Sequence, residues 1–135
     1  MTYRLSIRER PRRNRKSAAI RDAVRETAVG PERFILPLFV HEGDAPIPIG
    51  SMPGCSRHSR QSLLEEVERA VAVGVRMVAL FPAVHDSHKD RTGTASYDPD
   101  GLVPRTIAVL KDRWPELVIV TDVALDPYSS DGHDG

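Results

Sequence analysis

The chain has 135 residues, about one domain's worth; it is 40% hydrophobic and 28% charged, with 19 Lys/Arg balancing 19 Asp/Glu. Its apolar runs are strand-sized, far short of a membrane span, and MTYRLSIRER has no apolar stretch behind its charges, so neither membrane insertion nor a secretory signal is expected. A single cysteine, Cys55, rules out an intrachain disulfide and fits a reducing, cytoplasmic setting, where it reads as a small apolar side chain rather than a nucleophile.

The zero net charge hides an asymmetry. Residues 1–33 hold ten Lys/Arg against four Asp/Glu, and residues 34–135 hold nine against fifteen. The basic cluster RERPRRNRKS, Arg8 to Ser17, lacks interleaved aromatics for base stacking, and Pro11 breaks any continuous basic helix. Nucleic acid is therefore not the expected partner. An extended arm over residues 1–33, lying on an acidic surface of a neighbouring subunit, fits better. Within it SAAIRDAVRET (17–27) predicts a short helix, with Ser17 as N-cap and Ile20 and Val24 four residues apart.

Beyond the arm, three apolar runs predict buried strands: FILPLFV (34–40), VRMVALF (75–81) and LVIVTDV (117–123). They are near-continuous rather than alternating, which suits parallel strands covered on both faces. Pro37 lacks a ladder donor and calls for a bulge or an edge position. SLLEEVERAVAVG (62–74) predicts a helix capped by Ser62 with Glu65, striped by Leu64, Val67 and Val71 and ended by Gly74. GLVPRTIAVLKDRW (101–114) predicts another, starting near Leu102 or Val103 so that Pro104 falls in the first turn. Val103, Ile107 and Leu110 share one of its faces, and Pro115 closes it.

The strands start at 34, 75 and 117, spacings of 41 and 42, with a helix before each strand after the first. This is a repeating βα unit with parallel strands. Either a doubly wound sheet or an eight-stranded barrel would close it; eight such units would need roughly 330 residues. Residues 34–135 therefore read as the first three strands of an unfinished domain.

In βα folds the loops after strand carboxyl ends carry the site. The last such loop lies in TDVALDPYSSDGHDG, which holds Asp122, Asp126, Asp131 and Asp134. Clustered carboxylates there suit cation binding or acid–base work; the plain alternative is a solvated loop using aspartates in its turns. With no second cysteine and no His pair, it is a poor zinc site. His85 and His88 could share a metal only on a helix, and Thr92-Gly93 argues for a loop. His41 and His58 are isolated. No G-x-G-x-x-G, Walker or G-x-S-x-G pattern occurs.

Taken together, RPRRNRKSAAIRDAVRET, FILPLFVHEG, PIPIGSMPGCSRHS, VALFP, YDPDGLVPRTIAVLK and TDVALDPYSSDGHDG resemble the N-terminal part of 5-aminolevulinate dehydratase, or porphobilinogen synthase. The order and spacing of these segments carry the likeness over nearly the whole chain from Arg10. The resemblance implies an α/β fold: about three βα units of a (β/α)8 TIM barrel, behind an arm that joins a homo-oligomer, often an octamer. It implies condensation of two 5-aminolevulinate molecules to porphobilinogen with loss of two waters, in tetrapyrrole synthesis. It also implies an active-site role for Asp122, with Asp126 and Asp134 in the same pocket and Tyr128 and Ser129 shaping the substrate site.

The family's two Schiff-base lysines have no counterpart among Lys16, Lys89 and Lys111, so this chain alone is expected to be inactive. A non-catalytic piece that docks onto full-length subunits through its basic arm is the alternative. Where the zinc-dependent branch has three cysteines, this chain has Ala124, Asp126 and Asp134. That matches the zinc-independent, aspartate-rich branch, implying magnesium or potassium in the full-length protein, no zinc at this motif, and no metal ligand assigned within the chain.

Overall fold

A computed structural model describes residues 12–132. Its centre is a five-stranded sheet: β1 (Ile35–Val40), β2 (Ile47–Pro48), β3 (Ser56–His58), β4 (Met77–Pro82) and β5 (Val118–Thr121), in the order β2-β3-β1-β4-β5. β1 pairs with β4 along its whole length, from Ile35↔Met77 to Val40↔Pro82, and β4 pairs with β5; both pairings are parallel. Helix α2 (Arg60–Ala72) leads into β4, and α3 (Leu102–Arg113) leads into β5. The three predicted strands and both crossover helices are thus present. β2 and β3 arise between β1 and α2, in a stretch for which no strand was predicted.

The strands are covered on one face only. Leu38, Val40, Val78 and Leu80 are buried against Leu63 and Val67 of α2 and Leu110 of α3, with Leu117 completing the core. On the opposite face Ile35, Val118 and Val120 stay 40–50% exposed. Phe39 and Phe81, paired in register, set their rings 5.8 Å apart there. The continuous apolar runs are therefore half-buried strands among the described residues, not strands sandwiched between helix layers.

Pro37 sits inside β1 without a bulge. Val40 offers its carbonyl toward Ala83 at 2.7 Å, whereas His41 turns its N–H the other way, to His58 O at 3.1 Å. Backbone groups alternate in direction along a strand, so Pro37 faces the same side as His41. β3 reaches only Phe39 and Val40 on that side, so Pro37 has no strand partner there and its missing donor costs no ladder bond.

α2 begins earlier than its sequence pattern suggests. The N-cap is Ser59, whose Oγ accepts from Ser62 N at 3.3 Å, and Glu65 bonds Gln61 rather than closing a capping box. The cap is set by where β3 ends, one residue upstream. The buried stripe shifts accordingly to Leu63, Val67 and Ala70. α3 begins at Leu102 and ends ahead of Pro115, as predicted. Arg113 reaches Glu68 of α2 at 3.0 Å, and Lys111 donates to the carbonyls of Pro115 and Leu117, fastening the turn into β5. In the arm, α1 covers Ala18–Ala23, shorter than the predicted 17–27, with Ser17 Oγ accepting from Ile20 N. The part of the arm before Arg12 lies outside the described residues.

Candidate functional site

β1, β4 and β5 run parallel and point their carboxyl ends the same way, so the segments after them gather at one edge of the sheet. Residues from all three line a cavity of about 1020 Å³ that includes His41, Arg57, His85, Lys89, Arg105 and Tyr128. Asp122 follows β5 directly and is exposed. Val118 and Val120 stand on the uncovered face, and Asp122 is the next position of that alternation. Asp126 and Tyr128 are partly buried in the turn that follows; burial pushes the Tyr128 hydroxyl pKa up. Ser129 is buried, and its Oγ accepts from Asp131 N at 3.1 Å. Asp134 lies outside the described residues.

His41 and His85 serve their own loops. His41 Nδ1 accepts from Gly43 N at 3.1 Å, which fixes the tautomer whose Nε2–H donates to Ala45 O at 3.0 Å. His85 caps a single 3₁₀ turn, Asp86–His88, by accepting from Ser87 N. His88 lies 3.7 Å from Glu42, which also pairs with Arg105. Among the described residues no three His, Cys, Asp or Glu side chains are grouped to hold a metal ion.

Asp90 is the residue that sequence reasoning missed. Its backbone N–H donates to Tyr128 O at 3.2 Å and its carbonyl accepts from Ser130 N at 3.0 Å, forming a parallel bridge with Ser129. Its carboxylate accepts from Thr92 N, Thr92 Oγ1 and Thr94 N at 2.8–3.1 Å, and hydrogen bonding from the Thr94 hydroxyl and amide, then from Thr92, draws its pKa down to about 2. The loop after β4 is thereby fastened to the aspartate loop after β5. The only local signal was D-x-T-x-T, which predicts a turn but not its distant partner.

The sequence profile of the family described as delta-aminolevulinic acid dehydratase matches residues 8–135. The chain belongs to that family. A chloroplastic delta-aminolevulinic acid dehydratase of Selaginella martensii is 62% identical over 97% of this chain and 32% of its own length. The chloroplastic enzyme of Physcomitrium patens is 62% identical over 93% of this chain and 29% of its own length. A crystal structure of delta-aminolevulinic acid dehydratase (porphobilinogen synthase) from Toxoplasma gondii ME49, in complex with the reaction product porphobilinogen, superposes with a TM-score of 0.87. It is 51% identical, over 96% of this chain and 37% of that one.

The chain thus spans about a third of the length of the curated dehydratases it matches. Its parallel strands and crossover helices are the N-terminal part of a TIM barrel, as the resemblance implied; of the two closures the βα spacing left open, it is the barrel. The cytoplasmic expectation is overturned, because these relatives are chloroplastic enzymes. A lone cysteine only excludes an intrachain disulfide; it does not distinguish one thiol-preserving compartment from another.

Proposed function

We propose that this chain forms the amino-terminal wall of a porphobilinogen synthase, which condenses two 5-aminolevulinate molecules to porphobilinogen with loss of two waters. The observation that carries the reading is Asp122, at the carboxyl end of β5 and in step with the uncovered face of a dehydratase-family sheet. Asp122, Asp126 and Asp134 attract the substrate ammonium and move protons to and from the reacting carbons, while Tyr128 and Ser129 bound the pocket.

The chain's own lysines do not supply the nucleophile. Lys111 is committed to two carbonyls in the turn before β5. Lys89 is ion-paired with Asp86 at 2.9 Å, and its ammonium holds the Asp86 carboxyl below the usual range. A Schiff base needs a neutral amine, which an ammonium bound to a carboxylate is not. The chemistry also departs from the zinc type: of the positions that carry thiolates in the zinc-dependent branch, Ala124 offers no donor and Asp126 and Asp134 offer oxygen. A magnesium or potassium ion in the full-length enzyme would be held by oxygen ligands supplied from outside these residues.

Two measurements test this reading. The chain incubated with 5-aminolevulinate and borohydride should gain no covalent adduct by mass spectrometry; an adduct on Lys89 would overturn the lysine argument. The chain fused to the remaining two-thirds of the Selaginella martensii relative should make porphobilinogen. In that chimera Asp122→Asn should lower kcat by about 100-fold. Full activity of the variant would remove Asp122 from the chemistry.

One observation favours the alternative, a non-catalytic piece that docks through its arm. α1 buries none of its residues, leaving Ile20 and Arg21 exposed on it. The same face would serve a homo-oligomer, octameric in the reading above. Retention of the chain on immobilised full-length relative, lost on Ile20→Asp, is the expected result for either assembly.

A further inference from the structure

The loop after β4 contributes no group to the proposed chemistry, yet it is built around one side chain. Asp90 spends its carboxylate on Thr92 and Thr94, and its backbone on Tyr128 and Ser130. Its carbonyl also accepts from Gly93 N at 3.3 Å, closing the turn. Gly93 sits at φ +61, and a Cβ there would lie 3.7 Å from Leu125 and Tyr128, so the turn packs directly against the aspartate loop. Beside it Arg91 reaches Asp131 at 3.3 Å. Asp90, Arg91 and Gly93 thus each connect this turn to residues 125–131.

We propose that Asp90 is a positioning residue: by folding its own turn, its carboxylate presents the backbone that holds the Leu125–Asp131 segment, and with it Asp126, in place. For its effect on turnover the proposal rests on the reading of that segment as catalytic; for its effect on loop order it does not.

The test is hydrogen–deuterium exchange of the 135-residue chain, with turnover of the chimera described above. Asp90→Ala should speed exchange at Ser129 and Ser130 about tenfold, with the amides of β4 and α3 unchanged. Asp90→Asn keeps an oxygen acceptor for the Thr92 and Thr94 amides and should restore most of the protection. In the chimera Asp90→Ala should lower kcat about tenfold at little-changed KM, with Asp90→Asn again recovering it. Unchanged exchange at Ser130, or exchange rising equally in loop and core, would overturn the proposal. So would full turnover in Asp90→Ala while Asp122→Asn is crippled. If both chimera variants keep full turnover, the catalytic reading of the loop has failed instead, and the exchange result alone decides on Asp90.

Discussion

His58 closes β3 one residue ahead of the Ser59 cap, with Nδ1 3.4 Å from Ser62 Oγ in the first turn of α2. Burial lowers its pKa below 6.5; Glu66 opposes the shift, and Arg69 and His41 add to it. A positive charge here would also face the positive end of the helix dipole. The folded state therefore binds this proton less readily than the unfolded chain. Its contribution to stability is complete above pH 6.5 and is lost as pH falls below it toward the lowered folded value. Thermal melts at pH 7 and pH 5 should show an acid-side loss that His58→Gln reduces. Asp90 works in a lower window. With its pKa at about 2, its hold on the turn should persist through pH 4 and fail only as pH approaches that value. The amide shifts of Thr92 and Thr94 would report it.

What the sequence made legible is clearest at the level of elements. β1, β4 and β5 each announce themselves as an apolar run, and α3 is bracketed by Gly101 and Pro115. β2 and β3 have only two and three residues, one of them a proline, so they carry no periodicity; β3 exists because β1 offers it an edge, and β2 because β3 does. α2 was legible as a helix but not in its phase. Ser59 and Ser62 are both credible caps, and the S-x-x-E pattern favours the wrong one because it cannot see the end of β3. Similarly, Asp122 was legible from its place at the end of an apolar run, whereas Asp90 acts through a pairing some forty residues away in sequence, which no local pattern encodes. The cap assignment has a measurable consequence. Ser59→Ala should cost about 1 kcal/mol in denaturant unfolding, and Ser62→Ala less than half of that. Gly74→Ala should also destabilise: the residue sits at φ +97, and a Cβ would meet Pro31 at 3.0 Å.

For the whole molecule the decisive feature is a sheet with one finished face. The core of Leu38, Val40, Val67, Val78, Leu80 and Leu110 is as dry as any interior, while Ile35, Val118 and Val120 on the other side keep 40–50% of their surface in water. Among the described residues β5 has a paired neighbour only on its β4 side, so an unpaired strand edge lies beside the exposed apolar face. Apolar area of this kind is worth about 25 cal/mol per Å² when removed from water, and a free edge offers ready-made backbone partners. Both act in the same direction. The 135-residue chain should self-associate, seen in sedimentation velocity as species that grow with concentration. Ile35→Lys with Val120→Lys should shift it toward monomer by charging that face, while leaving the helix-covered core intact. In the chimera the same pair should be strongly destabilising, because the added strands would turn those positions into a barrel interior, where an unpaired lysine is costly. A monomeric wild-type chain with a sharp cooperative melt, or a chimera indifferent to both lysines, would show that this face is not an inner surface at all.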